Sequence, residues 1–143
     1  MIKFKYRQEI GRVEKIVFRP VADIEFESKN GEWIECHLYI DSGADVTLIP
    51  FSLGKLLGLE IDEDKIEEIY GVGKQGIPII FCEEKVKIGE YTFGIKIAWA
   101  LIEEIPPLLG RIGIFDHFHI NFKQDEGIIE FKWIKDKEKK VKK

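Results

Sequence analysis

A chain of 143 residues has the length of one domain and enough apolar sequence to bury a core without disulfide or metal staples. With 45% apolar residues, 34% charged residues and a net charge of −4, it reads as a soluble globule and gives no reason to expect nucleic acid as a partner. No membrane span is expected: the longest apolar region, "FGIKIAWALIEEIPPLLGRIGIF", is broken by Lys96, Glu103, Glu104, Arg111 and two prolines.

The N-terminal "MIKFKYRQEIGR" alternates charged and apolar residues and lacks the apolar core of a signal peptide, so the expected location is the cytoplasm. "VADIEFES" alternates with period two and reads as a strand. Asn30-Gly31 is a two-residue hairpin signal, and "EWIECHLYI" follows with Ile34, Cys36, Leu38 and Ile40 on one face. This second strand delivers Asp41 at its end. After Pro50, "FSLGKLLGLE" is expected to form a short helical turn capped by Ser52. "IPIIFCEEKVKI" and "YTFGIKIAWAL" read as strands around Gly89-Glu90, and "PPLLG" as a short apolar strand. "RIGIFDHF" reads as a short helix weakened by Gly113. "HINF" and "GIIEFKWI" complete a last hairpin around "KQDEG". The pattern is all-β with one or two short helices, in a single domain over 1–134. A charged, frayed tail follows over 135–143. Few Asn and Gln, one Met and many Lys, Glu and Ile give a thermophile-like composition.

Several motifs carry little chemistry. "GVGKQG" matches the G-x-G-x-x-G of dinucleotide sites letter for letter, but a strand and not a helix follows it, so the nucleotide reading fails. The same glycines suit a bending lid over a ligand or a plain surface hairpin, and this segment alone fits both. Cys36 and Cys82 lack C-x-x-C spacing and read as free thiols. His117 and His119 have no evident third ligand, and His37 reads as a strand residue with a satisfied ring. No metal and no cofactor are expected.

The informative stretch is "HLYIDSGADVTLIP". Asp-Ser-Gly usually announces a surface turn, yet both flanks read as buried strand, and a carboxylate in that setting needs a use. Gly43 allows the chain to turn and exposes its N–H to the Asp41 carboxylate. One carboxylate hydrolyses little, whereas two within hydrogen-bond reach share a proton and act as base and acid on water and a carbonyl. The sequence holds one such turn, so the second must come from a second chain across a two-fold axis.

At this point the sequence resembles the retropepsin-like aspartic proteases, the homodimeric viral-type peptidases and their cellular relatives. "LYIDSGADVTLIP" is similar to the family's apolar-apolar-Asp-Thr/Ser-Gly-Ala segment, "YGVGKQG" falls where the family places its flap, and "PPLLGRIGIF" resembles its apolar-apolar-Gly-Arg segment. The resemblance implies a closed β-barrel forming one half of an acid protease, with Asp41 as the catalytic carboxylate. Ser42 would bond across the dimer axis, and Gly43 would offer its carbonyl to the substrate main chain. Ala44 would support the active-site loop. Asp45 would line the cleft and pair with Arg111 beneath the loop; if that pair is buried, losing one partner costs about 3–5 kcal/mol. Gly71, Val72 and Gly73 would form the substrate-binding flap. Lys74 departs from the glycine many flaps carry, and the long segments before and after the motifs leave the dimer interface unplaced. The implied activity is that of a homodimeric aspartic endopeptidase acting on an extended peptide or unfolded protein, without nucleic acid or membrane partners. The other reading is a retropepsin-fold module that binds peptides or proteins without cutting them.

Overall fold

Three segments of sequence meet at one loop, and the sheet explains how. The computed structural model describes residues 1–13, 15–71 and 75–135. Three short N-terminal strands come first: β1 (Ile2–Lys5), β2 (Arg7–Ile10) and β3 (Ile16–Arg19). The barrel strands follow as β4 (Val21–Glu27), β5 (Trp33–Ile40) and β6 (Thr47–Ile49), then helix α1 (Phe51–Leu56). β7 (Glu67–Ile69), β8 (Ile77–Ile88), β9 (Tyr91–Ala100) and β10 (Leu108–Leu109) complete the main sheet, and β11 (Phe118–Lys123) and β12 (Ile128–Trp133) form the last hairpin. The order β4-β5-β10-β6-β9-β8, with β8 returning to β4, closes a six-stranded mixed barrel, and β7 extends β8 beyond it. β1, β12 and β11 make a separate three-stranded sheet, and β2 and β3 a two-stranded arm.

The period-two pattern in β4 and β5 works as expected. Ala22, Ile24 and Phe26 meet Leu38, Cys36 and Ile34 across an antiparallel register, and all but the partly covered Ile34 are buried. The core continues through Ile49, Val86, Ile88, Ile97 and Trp99 to Phe118 and Phe131 of the terminal sheet. Trp99 is fully buried, stacks on Phe51 with centroids 5.7 Å apart, and donates its indole N–H to the Phe51 carbonyl at 3.1 Å.

Three local expectations are corrected. The Asn30-Gly31 turn is a five-residue loop, not a two-residue one. Glu27 pairs with Trp33, and the Ser28 N–H donates to the Glu32 carbonyl at 2.7 Å; Gly31 keeps the positive φ of 89° that its place requires. Ser52 does not cap α1: Pro50 is the N-cap and Ser52 lies inside the helix. The Ser52 N–H and hydroxyl both donate to Glu103, each at 2.7 Å, so the capping carboxylate comes from a distant loop. These bonds hold the Glu103 carboxyl below its ordinary value. Residues 111–117 form overlapping turns and not a helix. Gly113 adopts φ 82°, breaking helical continuity, while its N–H donates to Asp116 Oδ2 at 2.8 Å.

Both cysteines are free. Burial pushes the Cys36 thiol up to about 11 and raises Cys82 as well, with Glu84 adding to the latter. Lys135 is exposed, and the remainder of the expected tail, 136–143, lies outside the described residues. Among the described residues no helix is long and apolar enough to cross a membrane.

Candidate active site

β10 answers the question that Asp-Ser-Gly poses. It lies between β5, which ends at Ile40, and β6, which begins at Thr47, pairing parallel with the first and antiparallel with the second. The loop of residues 41–46 therefore leaves and re-enters the sheet on the two sides of one short strand. Backbone bonds fasten it there. The Asp41 N–H donates to the Leu109 carbonyl at 3.0 Å, the Arg111 N–H to Ala44 at 2.9 Å, and the Ile112 N–H to Asp45 at 2.8 Å. A buried hydroxyl adds a fourth tie: Thr47 Oγ1 accepts the Gly110 N–H at 3.1 Å. Gly110 is required by space. A Cβ there would lie 2.9 Å from the Thr47 nitrogen and closer still to the carbonyl carbon and oxygen of Val46.

Asp41 is half-buried at the loop's start. Its Oδ1 accepts the Gly43 N–H at 2.8 Å, so the short turn orients the carboxylate. The carboxylate opens on a cleft of about 610 Å³, lined mainly by apolar side chains, among them Leu48, Ile69, Ile77, Ile105 and Leu108. A small second core of Leu48, Ile79, Ala98 and Ala100 supports that lining. Gly43, Ala44 and Asp45 also line the cleft, while Ser42 is exposed beside it.

β7 and β8 form the opposite wall. Their last pair is Ile69 with Ile77, and the connection between them carries Tyr70 and Gly71 at the cleft. Val72 and Gly73, expected at the flap tip, lie outside the described residues. The Tyr70 hydroxyl donates to Glu68 Oε2 at 2.8 Å, which raises the Tyr70 pKa. A Cβ on Gly76 would come within 2.9 Å of the Tyr70 ring, so that glycine leaves room for the ring.

Arg111 and Asp45 form an ion pair through Arg111 Nη2 and Asp45 Oδ1. The expected pair is therefore present but exposed: the side chains are 54% and 72% exposed, so the 3–5 kcal/mol cost that was conditional on burial does not apply. What holds the segment under the loop is backbone bonding together with the fit of Gly110. Sequence reasoning passed over Thr47 and Tyr70. Thr47 carried a signal, a hydroxyl inside the apolar run "VTLI" that needs a partner once buried; Tyr70 carried none.

The histidines do not converge. His37 Nδ1 meets Asp23 Oδ1 at 2.5 Å on the outer surface. His117 stacks on Phe93 with centroids 4.5 Å apart and contacts the Gly113 carbonyl through Nδ1 at 2.6 Å. Among the described residues, no group of three His, Cys, Asp or Glu side chains is placed to hold a metal ion.

No family model matches the sequence, and no curated protein matches it. Solved structures do. A retropepsin-like aspartic protease from Rickettsia conorii aligns over 90% of this chain and 98% of its own, with a TM-score of 0.59 and 16% identity. The retroviral protease-like domain of Ddi1 from Leishmania major aligns over 84% of this chain and 98% of its own, with a TM-score of 0.58 and 17% identity. The chain has the all-β, retropepsin-like fold that its motifs suggested.

Proposed function

We propose that this chain is an aspartic endopeptidase that works as a homodimer in the cytoplasm. The observation that carries the reading is the placement of Asp41: one carboxylate, oriented by the Gly43 N–H, at the mouth of an apolar cleft facing the β7–β8 hairpin. Two copies related by a two-fold axis bring two such carboxylates together. Like charges that close cannot both ionise, so the pair holds one proton between them, as aspartic proteases in general do. The ionised Asp41 takes a proton from water as it attacks the scissile carbonyl. The protonated Asp41 donates a hydrogen bond to the carbonyl oxygen, and the Asp41 that took the proton from water passes it to the departing amine, so the pair ends with the one proton it began with.

The substrate is an extended peptide or unfolded segment, laid as a strand between the Asp41 loop and the β7–β8 hairpin, where Tyr70 and Gly71 border the cleft. The lining of Leu48, Ile69, Ile77 and Ile105 favours apolar side chains beside the scissile bond. Ser42, exposed beside Asp41, bonds to the opposite loop, and the Gly43 carbonyl receives the substrate main chain. Ala44 and the Asp45–Arg111 pair support the loop. Free Cys36 and Cys82 suit a reducing compartment.

The test is cleavage of a peptide library by wild type and Asp41→Asn. The substitution keeps size and removes the titratable group, so cleavage falls to background while the melting temperature stays close to wild type. Equal cleavage by both proteins refutes the reading. Peptide binding by both with cleavage by neither favours the non-cutting module.

A further inference from the structure

The N-terminal arm is folded inside out. β2 and β3 pair with Arg7 opposite Arg19, Gln8 opposite Phe18, Glu9 opposite Val17, and Ile10 opposite Ile16. Side chains alternate across a strand, so Arg7, Glu9, Val17 and Arg19 share one face and Gln8, Ile10, Ile16 and Phe18 the other. The charged face is the one that lies on the barrel. Arg7 pairs with Asp23 of β4, and the Tyr39 hydroxyl of β5 donates to the two Glu9 oxygens at 2.8 and 3.0 Å. Arg19 lies 3.3 Å from Glu9 and over the Tyr39 ring. The apolar face is turned outward: Ile10 is 82% exposed, Ile16 60% and Phe18 58%. A hairpin that holds its own domain with charges and leaves its large apolar side chains in water presents a surface for association.

Its location says what associates. A second cleft, of about 610 Å³, is bordered by Glu9, Arg12 and Arg19 of the arm region, by Tyr39 and Pro106, and by Asp41 itself. Arm and Asp41 therefore stand on one rim. A second copy that brings its own Asp41 within hydrogen-bond reach approaches beside that rim, and under two-fold symmetry whatever one arm meets on the other copy is met twice.

We propose that the outer face of the β2–β3 arm, made by Ile10, Ile16 and Phe18, docks on a second copy of this chain and fixes the distance between the two Asp41 carboxylates. This rests on the two-aspartate reading of the site. It assigns the interface to the arm, and not to the free edges of β1 and β11 in the terminal sheet.

Sedimentation equilibrium of the full chain tests it, with peptide cleavage measured on the same samples. Wild type is a dimer. Phe18→Glu raises the dimer dissociation constant at least tenfold with an unchanged β-sheet spectrum, and cleavage falls in step and returns at high protein concentration. Leu56→Glu, at an apolar position that is also 62% exposed but lies on α1, leaves the dimer intact. Should Phe18→Glu not fold, Ile10→Lys carries the same test. Wild-type and Phe18→Glu dimers of equal strength overturn the arm proposal and leave the two-aspartate reading standing. Cleavage by arm-variant monomers overturns that reading while the arm remains an interface. A monomeric wild type that cleaves at constant specific activity overturns both.

Discussion

Replacing Gly110 with alanine adds a single methyl group where backbone, not a flexible side chain, fills the space. The new Cβ stands 2.9 Å from the Thr47 nitrogen and nearer to the Val46 carbonyl, so β10 or the loop of residues 41–46 must move. Overpacking of this kind costs about 1–3 kcal/mol. Movement also stretches the bond from the Gly110 N–H to Thr47 Oγ1, and a buried polar group left without its partner costs about 1–3 kcal/mol more. The sum, about 2–6 kcal/mol, lowers the melting temperature by roughly 6–24 °C in a domain of this size, at about 3–4 °C per kcal/mol. Two companions bracket the result in urea denaturation. Thr47→Val removes only the hydrogen bond and loses less. Gly94→Ala, whose Cβ meets nothing nearer than the Glu84 carbonyl at 4.0 Å, is neutral or slightly stabilising. Peptide cleavage by Gly110→Ala falls as well, since the Ala44 and Asp45 carbonyls are tied to the same segment. Stability equal to that of Gly94→Ala refutes the account of how this loop is held.

Other outcomes follow from the same structure. The exposed Asp45–Arg111 pair gives a coupling energy of about 0.2–1 kcal/mol in a double-mutant cycle of stability, shrinking as salt is added; a coupling of several kcal/mol shows that the pair is desolvated. Glu84 is buried with Oε1 unpartnered, and burial raises its pKa above the ordinary 4.5, so the folded state holds this proton more tightly than the unfolded chain. Its contribution to stability is complete below about pH 4.5 and is lost as pH rises through the raised value. Glu84→Gln accordingly raises the melting temperature relative to wild type at pH 7, and the gain shrinks toward pH 4. A gain that does not vary with pH contradicts the assignment.

Local pattern carried much of the fold. β4, β5, β8 and β9 showed in their alternation, and the Gly89-Glu90 turn fell where expected, with Ile88 opposite Tyr91. The loop of residues 41–46 and the Gly110-Arg111 segment were each legible from residue type. The short strand in "PPLLG" was legible too, but its place under the loop came only from the family resemblance, because pairing between distant segments leaves no trace in local periodicity. The cap of α1 was misplaced for the same reason, since its carboxylate is Glu103, far along the chain. β1 to β3 were missed because interleaved charges hid short strands, and the arm's apolar face lies opposite to where a hairpin's core face belongs. The helix expected over 111–118 overlooked how far a left-handed Gly113 interrupts hydrogen bonding.

The central claim is that one Asp41 from each of two chains makes one site, and subunit mixing measures it most directly. Wild-type and Asp41→Asn chains are combined in equal amounts and left to exchange fully. Random pairing gives about a quarter of dimers with two aspartates, about half with one and about a quarter with none. A dimer with one carboxylate lacks the partner that shares its proton, so its activity is near zero. Activity per wild-type chain therefore falls to about half of the unmixed value. If each chain holds a complete site of its own, activity per wild-type chain is unchanged on mixing, and the shared-aspartate account is contradicted.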